Sequence, residues 1–201
     1  MFRWTYIEEI NGWRFYEPDG EYAKGWKRFT MADGEEIVHW SYFDEETGKL
    51  TVGWKECIEQ IGNHATHHWS YFGLNGYMRT GWQYFTDVDG EREPHWKHFD
   101  NKGHLTIGFY DDGQLHFLDD AGRMLTGWQI INGFKYYFNT RGWGYRNGFC
   151  KVKMKGVDRL LYFNRDARLV KKIKLNYKGK TFYHSFENIH NDIEGVKEWH
   201  T

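Results

Sequence analysis

Hydrophobic and polar side chains alternate most clearly near residue 130. The run from Trp128 to Ile131 is typical of a half-buried strand, in which successive side chains point to opposite faces. Asn132-Gly133 then predicts a type I′ turn, because both central residues of that turn need positive φ. The run from Phe134 to Phe138 follows as a second strand, rich in aromatic residues. This stretch therefore predicts a β-hairpin.

Similar units recur along the chain, each marked by a glycine followed by an aromatic residue. The copies are Gly25-Trp26, Gly53-Trp54, Gly81-Trp82, Gly108-Phe109, Gly127-Trp128 and Gly148-Phe149, at intervals of 28, 28, 27, 19 and 21 residues. Such self-similarity indicates a repeat array, in which each unit buries its apolar face against its neighbours. A second set of glycines is expected in turns whose geometry a Cβ would oppose: Gly20, Gly48, Gly76, Gly103, Gly122 and Gly142.

The units before residue 109 have longer arms and two tryptophans each. Their predicted turns lie at Asp33-Gly34, Gly62-Asn63 and Asp89-Gly90. The paired residues are Trp26 with Trp40, Trp54 with Trp69, and Trp82 with Trp96, separated by 14, 15 and 14 residues. We expect one repeat array over 1–201, divided into an N-terminal cap unit (1–25), long-armed hairpins (26–108), short hairpins (109–149) and basic terminal hairpins with a cap (150–201).

Composition explains how so thin a structure would hold together. Aromatic residues make up 20% of the 201 residues, whereas aliphatic residues are scarce. Each aromatic side chain buries about 150–250 Å², so stacked rings can replace an aliphatic core. The pattern and the composition together predict an all-β fold, an elongated stack of β-hairpin repeats with an aromatic inter-repeat core.

Charge is unevenly distributed although the net charge is only −1. Residues 1–150 carry −7 and residues 151–180 carry +9. The basic stretch indicates either a solvated terminal hairpin or a surface that docks a partner protein. It is short and lacks a nucleic-acid-binding motif, so no nucleic acid is expected. Cys57 and Cys150 are isolated and have neither disulfide-framework nor zinc-site spacing.

The sequence also bears on the compartment in which the protein is found. No apolar stretch reaches about 18 residues, so no transmembrane segment is expected. Glu8-Glu9 stands where a secretory signal would continue its apolar run. We expect the chain to be extracellular or cell-wall-associated as part of a larger secreted protein, with a cytoplasmic or phage-encoded origin as the alternative.

Residues 127–139 resemble the cell-wall-binding or choline-binding repeat superfamily. So do residues 69–72, taken with Gly76, Met78 and Gly81-Trp82. That superfamily also includes the glucan-binding repeats of glucansucrases and the C-terminal repeats of clostridial glucosylating toxins. The resemblance implies a β-solenoid in which ligands sit between consecutive hairpins, with two rings from one repeat and a third from the next.

Carried onto this chain, the resemblance implies aromatic cages built on the three tryptophan pairs. Tyr71 or Phe72 would complete the first cage, and His98 or Phe99 the second. The implied ligand-binding residues are Trp26, Trp40, Trp54, Trp69, Tyr71, Phe72, Trp82, Trp96, His98 and Phe99. Two departures matter. The paired tryptophans lie further apart than is usual in the family, and the later units have lost the second one, so cages are expected in the first two thirds of the chain.

Several kinds of chemistry remain open for these rings. Their negative faces attract a quaternary ammonium ion, and they also stack on sugars. The same rings could instead form only the core. His39, His68 and His95 each precede a repeat tryptophan, which favours a structural or ligand-edge role, and no metal site or cofactor is predicted. No catalytic motif is present, so no enzyme is expected.

The leading hypothesis is a non-catalytic cell-surface-binding module for choline-bearing teichoic acid or a polysaccharide. The alternative is a protein-interaction or structural solenoid that docks a partner through residues 151–180.

Overall fold

The computed structural model describes residues 1–30, 38–86, 93–186, 193 and 196–200. The predicted turns at Asp33-Gly34 and Asp89-Gly90 lie outside these residues. Two compact units make up the chain, Met1–Thr106 and Ile107–Thr201. No helix in the described ranges is long and apolar enough to cross a membrane.

The first unit contains eight described strands and one turn of 3-10 helix at Glu8–Ile10. The strands are Arg3–Ile7 (β1), Gly12–Tyr16 (β2), Gly25–Thr30 (β3), Val38–Phe43 (β4), Gly53–Ile61 (β5), His64–Phe72 (β6), Gly81–Phe85 (β7) and His95–Phe99 (β8). They pair in sequence order as four antiparallel two-stranded sheets. The nine-residue strands β5 and β6 are the longest arms among them.

The second unit continues the same plan. Its described strands are Gly108–Asp111 (β9), Leu115–Leu118 (β10), Gly127–Ile131 (β11), Phe134–Phe138 (β12), Gly148–Met154 (β13), Val157–Phe163 (β14), Lys172–Tyr177 (β15), Lys180–Ser185 (β16) and Glu198–Trp199 (β17). Strands β9 to β16 form four antiparallel hairpins. The short strand β17 adds to β11 in parallel and makes a three-stranded sheet.

The turn chemistry confirms the hairpin prediction. Asn132 has φ 47° and Gly133 has φ 75°, so both central residues of the β11–β12 turn take positive φ. Gly62 has φ 60° and lies between β5 and β6, where a turn was predicted. The six predicted turn glycines, Gly20, Gly48, Gly76, Gly103, Gly122 and Gly142, all have φ between 68° and 94°.

Backbone hydrogen bonds tie each hairpin to the segment that follows the next one. In the first unit the amides of Leu50, Met78 and Leu105 each donate a 2.8 Å bond, to the carbonyls of Trp13, Trp40 and Trp69 respectively. The second unit repeats this link between Gly144 and Leu115 at 2.7 Å, and between Leu169 and Lys135 at 2.8 Å. Each unit is therefore a stack of hairpins, which confirms the all-β repeat fold.

The repeated glycine begins the first strand of a hairpin and faces the buried residue that ends the second. The pairs are Gly25 with Phe43, Gly53 with Phe72, Gly81 with Phe99, Gly108 with Leu118, Gly127 with Phe138 and Gly148 with Phe163. The closing residues are at most 1% exposed. A ring or leucine side chain at this position forms the core between repeats.

Strand β17 fixes the end of the second unit. Trp199 is buried against Phe117 and Ile131, and its indole Nε1 donates a 3.0 Å hydrogen bond to Gln129. Its carbonyl accepts a 2.9 Å bond from the amide of Asn132. The C-terminal segment thereby covers the exposed edge of β11, which otherwise would present unpaired backbone groups.

Candidate functional site

The first tryptophan pair forms two walls of a cleft. Trp26 lies opposite Tyr42 in the β3–β4 ladder and Trp40 lies opposite Arg28, which makes the two tryptophans diagonal neighbours. Their ring centroids are 6.4 Å apart and their planes cross at 80°. Trp26 is 42% exposed and Trp40 is 40% exposed, so both rings present surface to solvent.

The β3–β4 hairpin and the following repeats enclose this cleft. It has a volume of about 340 Å³, and its walls are Trp26, Trp40, Cys57, Ile58, Glu59, His68, Met78, Asn101, Lys102 and His104. Met78 is held there because its amide donates to the carbonyl of Trp40. We call this space the Trp26–Trp40 cleft. Its lining includes two indole rings, the thioether of Met78 and the carboxylate of Glu59.

Of the two rings expected to complete the first cage, neither is among the described residues that line the cleft, and only Phe72 contacts a ring of the first pair. Phe72 contacts Trp26 with 5.7 Å between ring centroids. It has no exposed surface, so it supports Trp26 from behind. Tyr71 contacts Trp54 at 5.1 Å and Phe85 at 4.7 Å instead.

The second pair is arranged differently. Trp54 packs against Tyr71, Phe85 and Phe99, the last at 5.8 Å with a ring that has no exposed surface. Trp69 is 49% exposed, and within the described part of the chain it makes no ring contact with Trp54. Phe99 therefore contacts the second pair at Trp54.

The third pair lies on the β7–β8 hairpin. Trp82 contacts His98 edge-to-face at 5.0 Å, and Trp96 contacts Tyr84 at 5.1 Å. His98 is buried, and its Nδ1 lies 2.8 Å from the hydroxyl of Thr106. His98 was expected to complete the second cage, and the structure places it on the third.

Charged groups line one side of the Trp26–Trp40 cleft. The carboxylate of Glu59 lies 3.0 Å from Lys102 Nζ and 3.6 Å from His68 Nε2. The hydrogen bond from Lys102 holds the pKa of Glu59 below its ordinary value, so this side chain is an anion at neutral pH. Burial, and then the neighbouring His104, lowers the pKa of His68 and favours its neutral imidazole.

Sequence reasoning missed Met78, Glu59 and His104 as residues of this cleft. Met78 belongs to a recurring position. Leu50, Met78 and Leu105 each lie two residues after a turn glycine, and each amide donates to a carbonyl of the hairpin before the one just completed. That recurrence was visible in the sequence. Glu59 and His104 carry no comparable signal, because they meet only through the stacking of repeats.

No family model matches the chain, and no curated protein matches it. Among solved structures, choline binding protein F from Streptococcus pneumoniae, in the presence of a peptidoglycan analogue, is 24% identical with a TM-score of 0.63, covering 89% of this chain and 54% of that one. The complex of CbpF with ipratropium is 26% identical with a TM-score of 0.62, covering 88% and 55%.

A further neighbour is CbpJ from Streptococcus pneumoniae, 18% identical with a TM-score of 0.55 and covering 92% of this chain and 78% of that one. The chain spans just over half the length of choline binding protein F. These neighbours confirm the resemblance to the choline-binding repeat superfamily. The hairpin stack described above is the fold of that class.

Proposed function

We propose that this chain is a non-catalytic cell-wall-binding module and that the Trp26–Trp40 cleft binds the quaternary ammonium group of choline on a wall polymer. The observation that carries the proposal is the pair of half-exposed, nearly perpendicular indole rings 6.4 Å apart. Their faces offer negative quadrupoles to a cation from two directions. The choline-binding neighbours with this fold support it.

The rest of the cleft suits the same ligand. Met78 supplies a polarizable, adaptable contact for methyl groups. Glu59 adds a carboxylate to the lining, and Lys102 pairs with its Oε1 at 3.0 Å and offsets part of its charge. A neutral sugar would also stack on the indoles but would gain nothing from the charge that remains. That remaining charge favours a cationic ligand over a neutral polysaccharide.

Titration with choline, ipratropium and a panel of neutral glycans tests the proposal, with tryptophan fluorescence and calorimetry as readouts. Each cation–π contact contributes about 0.5–2 kcal/mol, so Trp40→Ala should weaken choline binding about 2- to 30-fold. Trp69→Ala is the matched control, because Trp69 occupies the equivalent position of the next hairpin and is similarly exposed but lies outside the cleft.

Glu59→Gln separates the two ligand classes. It should weaken choline binding while leaving the binding of a neutral glycan unchanged. A chain that responds to neither choline nor any glycan contradicts the proposal. Equal losses in Trp40→Ala and Trp69→Ala would contradict the assignment of the site to the first pair. Binding that depends instead on the charge of residues 151–180 would favour the alternative of a partner docked there.

A further inference from the structure

Three metal-ligating side chains meet beside the indole rings. Glu59, His68 and His104 each offer one ligand atom, and these atoms lie within 4.8 Å of one another. Glu59 and His68 stand on the β5–β6 hairpin, whereas His104 lies beyond β8, 36 residues after His68. All three side chains are half-buried and line the Trp26–Trp40 cleft.

The stacking of repeats brings the two histidines together. The amide of Leu105 donates to the carbonyl of Trp69, which sets the residues before them, His104 and His68, side by side. Their rings lie parallel, 3.8 Å apart with 17° between planes. One repeat earlier in the stack, the amide of Met78 donates to the carbonyl of Trp40 in the same way.

At that previous level the equivalent stacked pair is His39 and Tyr77, at 4.1 Å and 9°. A tyrosine replaces the second imidazole there. The His39–Tyr77 pair has the same ring stacking and the same backbone link as the His68–His104 pair, so neither feature requires a second histidine. The His39–Tyr77 pair is therefore an internal reference for what stacking alone needs.

The donor set suits a metal ion, and binding one requires the two stacked imidazoles to rotate apart until both nitrogen lone pairs point at the ion. His68 Nε2 is buried and has no hydrogen-bond partner among the described residues, and it lies 3.6 Å from Glu59 Oε2. Ligand atoms of a tetrahedral Zn²⁺ site with bonds of about 2.0–2.1 Å stand roughly 3.3–3.5 Å apart, so this pair needs only a small adjustment. Asp100 Oδ2 lies 3.3 Å from His104 Nδ1, a carboxylate contact of the kind that orients ligating imidazoles.

We propose that Glu59, His68 and His104 form a binding site for a divalent transition metal, with Zn²⁺ as the best fit. Two imidazoles and one carboxylate are a known zinc ligand set, and the cleft leaves a fourth position for water or another ligand. Lys102 competes for the same carboxylate, since its Nζ lies 3.0 Å from Glu59 Oε1. The site shares Glu59 and the cleft with the choline proposal, but it is argued from the three ligand atoms and is tested by Zn²⁺ binding in the absence of choline.

The experiment is metal titration of the full chain, with Zn²⁺ in calorimetry and Co²⁺ as a spectroscopic probe. Wild type should bind one equivalent of Zn²⁺, and Co²⁺ should give the intense visible absorption of a four-coordinate site. His104→Gln and Glu59→Gln should each weaken Zn²⁺ binding at least about 10-fold. Lys102→Met should strengthen it by removing the competing charge.

The control variant is His39→Gln, which changes the equivalent stacked histidine at the reference level. It should leave Zn²⁺ affinity unchanged. Circular dichroism of every variant checks that a loss of binding is not a loss of folding. The proposal is overturned if wild type binds no Zn²⁺ at micromolar concentration, if His104→Gln folds and binds as wild type does, or if His39→Gln loses as much affinity.

Discussion

Phe72 offers a direct test of where the stability of the first unit resides. Its ring ends β6, has no exposed surface, pairs across the ladder with Gly53 and contacts Trp26. Truncating a buried phenylalanine to alanine costs about 3–5 kcal/mol, because apolar contact is lost and a cavity remains. Phe72→Ala should therefore lower the free energy of unfolding by that amount.

Trp69 lies three residues earlier on the same strand and provides the comparison. It is larger than Phe72 but 49% exposed, so about half of its surface is already in water. Trp69→Ala should cost about 2–3 kcal/mol, since about half of an aromatic side chain's 150–250 Å² is buried, at about 25 cal/mol per Å². Phe72→Leu should destabilise the protein less than Phe72→Ala, because a leucine, Leu118, fills the equivalent position at the end of β10.

Urea unfolding followed by circular dichroism measures all three variants, with the midpoint and the slope analysed together. The expected order of destabilisation is Phe72→Ala first, with Trp69→Ala and Phe72→Leu both below it. If Trp69→Ala destabilises the protein as much as Phe72→Ala, the exposed tryptophans are the core, and the reasoning from the buried closing rings is refuted.

Two further predictions concern turn geometry and a buried thiol. Gly76→Ala places a Cβ at φ +72° and 2.5 Å from a Leu50 methyl, so urea unfolding should show a loss of stability from backbone strain of about 1–2 kcal/mol and from overpacking of about 1–3 kcal/mol. Gly53→Ala is the control, because its φ is +79° but the space around it is open, so it should show the loss from strain alone. Equal losses of stability in the two variants would contradict the predicted clash with Leu50. Burial raises the pKa of Cys150 from 9.0 to about 12, so at neutral pH Cys150 should alkylate more slowly than the half-buried Cys57, as mass spectrometry can measure. Because the folded thiol keeps its proton after the unfolded thiol has lost it, the contribution of Cys150 to stability should fall as pH rises from about 9 to 12, and a Cys150→Ala variant that keeps the same pH dependence would contradict this.

Local patterns predicted the hairpins because turn chemistry is local. Asn132-Gly133 requires positive φ wherever it forms a two-residue turn, and the structure has both. The glycine–aromatic step likewise predicted the repeat. Its glycine takes positive φ in the first five copies, whereas at Gly148 the preceding Asn147 takes φ 53° instead. In this copy the positive φ lies one residue earlier, at Asn147, and the hairpin is still formed.

Ligand-site residues were harder to assign from sequence. Phe72 and Phe99 were expected to face a ligand, yet both have no exposed surface and stand behind Trp26 and Trp54. Alternation along a strand says which side chains share a face. It does not say whether that face meets the next repeat or the solvent. All of the cage assignments, including the one for the first pair, stay predictions.

The sequence by itself determined the repeating unit, its turns, its aromatic composition and the class of fold, since each depends on residues close together in the chain. Only the tertiary structure decided which surfaces meet. The stagger that bonds Leu105 to Trp69 set His104 against His68, and the return of Trp199 covered the edge of β11. These contacts join residues 36 and about 70 positions apart, and their geometry follows from how hairpins stack, a property of the whole array that no single repeat contains.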